Sequence, residues 1–361
     1  SETLMTTIMI MAGGTGGHVF PALAVADILT RRGVTVTWMG TAKGIESRLV
    51  PEAGYPLTEI SVQGLRGNGA MGWIKAPFKI AKAVLEAIVI IKKTNVDLVL
   101  GLGGFASGPG GVAAWLLRKP IVIHEQNSIP GLTNKLLGVI ASRVLQGFPN
   151  CFRASMKAEW VGNPVRSCIA EIVEPINSGE VEEDIRLLVL GGSLGAKSLN
   201  EVLPKSLALI GAIRSITVRH QCGQNHLEDC KKNYQEASVQ AEVTEFISNM
   251  AEAYSWADLV VCRAGALTIA ELSAAGVASI LVPYPHAVDD HQTHNASALL
   301  DVGAAVLIDE SKLDDKVLSN RIIDLTSSRN NLFNMAKAAK KLAKPEAAVS
   351  IADICMAVSH G

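Results

Sequence analysis

Hydrophobic and polar positions follow two rhythms along the chain. Apolar runs at 8–12, 34–39, 96–100, 121–124 and 143–146 have the length and patterning of strands. Between them, 21–31, 108–117 and 130–140 carry apolar residues at helical spacing. A polar, acidic stretch at 171–184 holds Pro175, Asn177, Ser178 and Gly179 and reads as a linker or exposed loop. The pattern then restarts, with strands predicted at 185–190, 216–220, 257–261, 278–282 and 305–308. Helices are predicted from 197 and at 267–275, 292–300, 313–325, 331–342 and 347–358. Both halves open with an apolar strand, a glycine-rich loop and a helix. The simplest solution is two doubly wound α/β domains with parallel sheets, rather than one large sheet. Such sheets take ligands beyond the carboxyl ends of their strands.

The length of 361 residues agrees with two domains. With 48% hydrophobic and 19% charged residues the chain can bury a core, which excludes wholesale disorder. Thirty-three Lys and Arg balance 34 Asp and Glu, so no general attraction to nucleic acid is expected. Six cysteines include no CxxC pair, which favours a reducing compartment. The start at Ser1 has no signal-peptide pattern, and no stretch approaches the roughly 20 apolar residues of a membrane span.

The first strand ends in Gly13-Gly14-Thr15-Gly16-Gly17-His18. Glycines before a helix place bare N–H groups at its positive end, which suits a phosphate or diphosphate. No Lys-Ser/Thr pair follows Gly17, so this is not a Walker A loop. No acid ends the second strand, and Glu46 is in the wrong context for a dinucleotide fingerprint. Gly191-Gly192-Ser193-Leu194-Gly195 repeats the physics, with Ser193 as an added donor. Gly101-Leu102-Gly103-Gly104-Phe105 shapes nearby backbone without necessarily holding phosphate.

Polar residues gather at strand ends. His18 opens a helix where a substrate hydroxyl would lie and is a candidate general base, or else a capping residue. His124-Glu125-Gln126-Asn127 reads as a site rim or a turn stabiliser. Glu271, in an otherwise apolar helix, accepts from a ribose diol, caps a buried backbone group or pairs with Arg263. His286, Asp289, Asp290, His291 and His294 lack tight metal-ligand spacing, so no metal is expected there; a polar loop over substrate, with Gln292, is. Around 73–88, Trp73, Ile74 and Phe78 alternate with Lys75, Lys79 and Lys82, a mixture suited to an anionic membrane surface or to an ordinary crossover helix.

Over nearly its whole length the chain resembles the MurG family of bacterial cell-wall glycosyltransferases. The marks are the three glycine motifs, His124-Glu125-Gln126-Asn127, Gly162-Asn163-Pro164-Val165-Arg166 and Arg263-Ala264-Gly265-Ala266-Leu267-Thr268. The resemblance implies a GT-B fold of two Rossmann-like domains facing a cleft. These would be an acceptor- and membrane-binding domain at 1–165, a UDP-sugar donor domain at 166–340, and a C-terminal helix at 341–361 free to pack back on the first domain. It implies inverting transfer of N-acetylglucosamine from UDP-GlcNAc to the muramyl 4-hydroxyl of undecaprenyl-pyrophosphoryl-MurNAc-pentapeptide (lipid I), giving lipid II. No cofactor is implied. The expected place is the cytoplasmic face of the bacterial inner membrane, held peripherally through an anionic surface and beside other cell-wall synthesis and division proteins.

By the same resemblance, His18 is the base, with Glu125 its rival. Gly13, Gly14, Thr15, Gly16, Gly17 and His18 face the acceptor diphosphate, with Thr15 to Gly17 also near the donor. Ser193 meets the pyrophosphate, Arg166 and Ile247 lie near the nucleotide, and the Ile247 backbone reads uracil. Ala266, Leu267, Thr268, Ile269 and Ala270 form the helix start that faces the phosphates and sugar. Glu271 holds the ribose, and Gln292 and Asn127 reach the sugar. Two positions depart from the family: Leu194 and His291 stand where glutamine is frequent. A nucleotide-sugar 2-epimerase, a non-catalytic nucleotide-sugar binder and a dinucleotide oxidoreductase are the competing readings.

Overall fold

The computed structural model describes residues 6–61, 69–173, 184–192, 195–287 and 290–360, without the side chains of 69–75 and 212. It divides into two compact units, Ser1–Arg166 with Lys344–Gly361, and Ser167–Ala343. The sheet of the first unit contains β1 (Thr7–Ala12), β2 (Thr35–Gly40), β3 (Leu57–Glu59), β4 (Leu98–Gly103), β5 (Ile121–Glu125), β6 (Arg143–Gln146) and β7 (Glu159–Trp160). All neighbours are parallel, in the order β3-β2-β1-β4-β5-β6-β7. Its connections carry α1 (Gly16–Arg31), α2 (Glu46–Glu52), α3 (Gly69–Lys93), α4 (Ser107–Leu116) and α5 (Leu132–Leu137).

Alternation along β1 separates two cores. Ile8, Ile10 and Ala12 pack with Val19, Ala22 and Val25 of α1, while Met9 and Met11 pack with Ile91, Ala113 and Ala114 on the opposite face.

The second unit contains α6 (Ser167–Ala170), β8 (Ile185–Leu190), α7 (Lys197–Ile210), β9 (Ile216–Gln221), α8 (Leu227–Glu236) and β10 (Glu242–Thr244). It continues through α9 (Met250–Trp256), β11 (Leu259–Cys262), α10 (Ala266–Ala275), β12 (Ala278–Leu281), α11 (His291–Leu300), β13 (Ala305–Leu307), α12 (Asp315–Thr326) and α13 (Arg329–Lys340). Its sheet is again parallel, in the order β10-β9-β8-β11-β12-β13. The last helix, α14 (Ala347–His360), belongs to the first unit, where Ala348, Ile351, Ala352 and Cys355 join the α1 side of the core.

At Pro21 the observed helix start differs from the pattern-based expectation. Pro21 marks a natural helix start, yet α1 begins at Gly16 and keeps Pro21 inside. Pro21 has no N–H to give, and the five residues before it, Gly16 to Phe20, still take helical form. Pro77 likewise lies within α3 rather than at its edge.

Candidate active site

In each sheet the strand order reverses beside the first strand, and a glycine loop leaves the sheet at that switch point. In the first unit β1 runs out through Gly13 and Gly14 into α1. Thr15 is the N-cap but makes no side-chain cap bond, and the N–H groups of Gly16 and Gly17 have no intrahelical acceptor. That helix start is suited to an anion. The turn after β4 is its wall. Gly103 and Gly104 have φ of +111° and +93°. A Cβ on Gly104 would stand 2.6 Å from the Gly13 carbonyl oxygen, and one on Gly103 would stand 2.9 Å from Nε2 of His18. The Ser107 hydroxyl spans the two strand ends, 2.8 Å from the Gly103 carbonyl and 3.0 Å from that of Met11.

His18 Nδ1 lies 3.1 Å from the Gly13 carbonyl oxygen and 3.4 Å from Thr15 Oγ1. A carbonyl can only accept, so Nδ1 carries the hydrogen. In the neutral ring Nε2 then bears the lone pair. The geometry leaves a ring nitrogen able to accept a hydrogen bond beside a helix start suited to an anion.

The rival base is differently engaged. Glu125 is 3% exposed. Its Oε1 accepts the N–H and Nδ2–H of Asn127 at 2.9 and 3.3 Å, and its Oε2 accepts the Gly131 N–H and Asn134 Nδ2–H at 3.1 and 2.8 Å. The carboxylate organises the loop after β5. Asn127, expected to reach the sugar, is folded back on it. His124 and Gln126 are buried too: His124 Nε2–H donates to Gly162 O at 2.8 Å, and Gln126 Nε2–H reaches His124 Nδ1 at 3.1 Å. Burial pushes the His124 pKa down to about 4, against the opposing pull of its bond to Gly162. Of the two readings of this run, turn stabiliser fits its first three residues.

Arg166 is placed in the first unit, with its guanidinium 5.9 Å from the ring of Phe20 on α1. It therefore lies beside the first glycine loop's helix.

In the second unit Ser193 and Leu194 lie outside the described residues, as does Asp289. The flanking Gly192 and Gly195 take φ of +79° and +80°. Next to β8 in the sheet, β11 leads into α10, whose N-cap Gly265 makes no side-chain cap bond. Ala266, Leu267 and Thr268 form the first turn. Ile269 N–H is already bonded to Gly265 O at 2.9 Å, and Ala270 follows it. Glu271 is 6% exposed and its Oε2 accepts from the Tyr254 hydroxyl at 3.0 Å. Gln292 Oε1 accepts the N–H groups of Ala264 at 3.2 Å and Tyr284 at 2.9 Å. Its oxygen is thus committed to backbone, and Nε2 is the group it presents as a donor. Ile247 is half-buried between β10 and α9.

Glu271 and Arg263 are not partners. Arg263 is held by Glu310, with Nη1–H and Nη2–H donating at 2.7 and 3.1 Å. It also donates to the carbonyls of Val282 and Pro283 and to Ser198 Oγ. Sequence reading misses this clamp, and it misses Glu46, which lies beneath the first glycine loop. Both are isolated acids in sequence and acquire meaning only through burial.

On α3, Phe78, Lys79 and Lys82 are exposed, while the side chains of Trp73, Ile74 and Lys75 are outside the description. Exposed apolar residues include Phe78, Leu85 and Val89 of α3, Trp115 and Leu116 of α4, Leu132 and Leu136 of α5, and Val139 just after it. Ala87 and Ile91 point into the core. No helix among the described residues is long and apolar enough to cross a membrane.

Two Rossmann-like α/β units, each with a glycine loop at the strand switch point, give a GT-B-like fold, and relatedness makes the chain a glycosyltransferase. Residues 8–146 match the glycosyltransferase family 28 N-terminal domain and residues 186–351 its C-terminal domain. The UDP-N-acetylglucosamine--N-acetylmuramyl-(pentapeptide) pyrophosphoryl-undecaprenol N-acetylglucosamine transferases of Aeromonas hydrophila and Cellvibrio japonicus are 52% and 53% identical. Each alignment covers 98% of this chain, with 98% and 99% of the relative. The crystal structure of Acinetobacter baumannii MurG superposes with a TM-score of 0.86 at 42% identity, over 98% of this chain and 99% of that one. A UDP-GlcNAc 2-epimerase from Neisseria meningitidis shares the fold alone, at 12% identity and a TM-score of 0.68 over 98% and 100% of the two chains. The chain belongs to glycosyltransferase family 28 and, within it, to the MurG transferases.

Proposed function

We propose that this glycosyltransferase moves N-acetylglucosamine from UDP-GlcNAc to the muramyl 4-hydroxyl of lipid I, with inversion, and so makes lipid II for peptidoglycan synthesis. The observation that carries the reading is relatedness at 52% identity over 98% of both chains to a transferase of that name. The epimerase reading has only fold likeness behind it.

In the proposed reaction the 4-hydroxyl oxygen attacks the anomeric carbon while its proton passes to His18 Nε2. The bond from that carbon to the diphosphate breaks, and UDP leaves with the electron pair. His18 is preferred to Glu125 because both Glu125 oxygens are bound within the loop. The N–H groups of Ala266, Leu267 and Thr268, with Ser193, stabilise charge developing on the diphosphate. Glu271, steadied by Tyr254, takes the ribose hydroxyls, and the Ile247 backbone takes uracil. Gln292 donates to the sugar through Nε2. Within the first glycine loop, the helix start at Gly16 and Gly17 holds the acceptor diphosphate, and Arg166 supplies positive charge beside it.

We assign the exposed apolar face of α3, α4 and α5, with Lys79, Lys82 and Lys135, to peripheral contact with an anionic membrane, on its cytoplasmic leaflet where lipid I would be reached. The deciding experiment is a transfer assay with labelled UDP-GlcNAc, with and without lipid I. Acceptor-dependent release of UDP and labelled lipid II supports the proposal. Sugar isomerisation without acceptor would reject it in favour of an epimerase. Flotation with anionic vesicles tests the membrane face: Phe78→Glu with Leu136→Glu should reduce vesicle binding at least several-fold while leaving UDP-GlcNAc binding intact.

A further inference from the structure

The first glycine loop is gripped from beneath by a carboxylate that has no part in the chemistry above. Glu46, the first residue of α2, is 1% exposed. Its Oε2 accepts the Gly14 N–H at 2.8 Å. Its Oε1 accepts the Thr41 N–H at 3.0 Å and the Thr41 hydroxyl at 2.8 Å. Three glycines leave the space it fills: a Cβ at Gly13, Gly40 or Gly44 would collide with its side chain. Each carboxylate oxygen accepts a backbone N–H, and the Thr41 hydroxyl adds a third bond.

The Gly14 N–H and the Gly13 C=O are opposite ends of one peptide group, planar and rigid. Glu46 holds the N–H end, and the C=O end accepts from His18 Nδ1 at 3.1 Å. The sequence of contacts is carboxylate, peptide, imidazole. A charged acceptor on the N–H side polarises the peptide and strengthens its oxygen as an acceptor. We infer that Glu46 is a positioning residue for transfer: through the Gly13–Gly14 peptide it fixes the aim of His18 and keeps the hydrogen on Nδ1, leaving Nε2 to receive the acceptor's proton. It also takes the Gly14 N–H out of contention as a phosphate donor, so the anion falls to the helix start at Gly16 and Gly17. The inference rests on His18 as the base.

The test is a double-mutant cycle on the full chain, reading kcat and the KM for UDP-GlcNAc with lipid I as acceptor, alongside thermal unfolding. Glu46→Gln preserves shape but turns an NH2 group toward a donor. It should lower kcat about 10- to 100-fold and change KM for UDP-GlcNAc less than about twofold. In a His18→Ala background the same change should cost less than about twofold in kcat. An undiminished kcat in the single variant, or an equal fall with and without His18, overturns the positioning role. A His18→Ala enzyme with wild-type kcat rejects the base assignment itself. If Glu46→Gln does not fold, Thr41→Val replaces it in the cycle. A fall of about threefold or more that depends on His18 supports the role, and no fall, or one independent of His18, overturns it.

Discussion

His18 and Glu125 have similar claims as acids or bases in the sequence and different ones once their hydrogen bonds are counted. His18 spends one nitrogen on the Gly13 carbonyl and keeps a lone pair on the other. Replacing it with Ala should lower kcat about 10²- to 10⁴-fold, the range for a general base, with little change in UDP-GlcNAc affinity by calorimetry. A variant with near-normal kcat would exclude it. Glu125 satisfies four donors, so Glu125→Ala strands several of them in a buried loop. It should cost about 2–3 kcal/mol of stability in urea titration, with activity falling only as the folded fraction falls. The glycine loops were legible because glycine at a helix start is a local signal. Glu46 was not, because its contact with Gly14 spans 32 positions and its meaning depends on burial. The resemblance points Gln292 at the sugar, and nothing local in sequence says that Ala264 and Tyr284 claim its oxygen.

At the scale of elements, the central strands were readable from apolar runs and alternation. Of the edge strands, β3, β7 and β10 have three, two and three residues and carry polar ones among them, so no apolar run marks them, whereas the equally short β13 is wholly apolar and legible. The short helices α2, α8 and α9 carry only two or three buried residues each and escaped for the same reason. What the elements build is two supported turns. Gly104 lets the turn after β4 approach Gly13, so Gly104→Ala drives a Cβ to 2.6 Å from a carbonyl oxygen at φ +93°. Transfer should fall at least tenfold as the first glycine loop shifts, with UDP-GlcNAc binding to the second unit retained; loss of donor binding in parallel would contradict this. In the second unit Arg263 ties the ends of β11 and β12 to α7 and to Glu310. Burial works against the Glu310 carboxylate, but hydrogen bonds from Arg263 and Ser198 outweigh it and hold its pKa below the usual range. Glu310→Gln leaves the guanidinium half-answered and should cost on the order of 2–3 kcal/mol in urea titration.

Across the whole molecule the two units repeat one solution. The orders β3-β2-β1-β4-β5-β6 and β10-β9-β8-β11-β12-β13 agree position for position, although the sequences share only the strand, glycine loop and helix plan. Among the described residues each unit also buries one histidine on a sheet strand, His124 on β5 and His220 on β9. In the first, His124 is pinned between Gly162 and Gln126, with its pKa pushed down by burial to about 4. In the second, His220 lies between the Tyr234 hydroxyl at 2.9 Å and Asn200 Oδ1 at 3.0 Å, and burial lowers its pKa to about 3. An unfolded histidine binds a proton below about pH 6.5, whereas these folded ones refuse it until far lower. Their contribution is therefore complete above pH 6.5 and is lost progressively as pH falls toward 4 and 3, about 3 kcal/mol at His124 and about 5 kcal/mol at His220. Unfolding free energy should fall from pH 7 to pH 4.5 with a slope approaching two protons taken up per chain. In His124→Gln with His220→Gln, which cannot titrate, that slope should flatten toward zero in urea titrations across the same range. An unchanged slope would mean that the acid sensitivity of both units comes from their carboxylates and not from these buried rings.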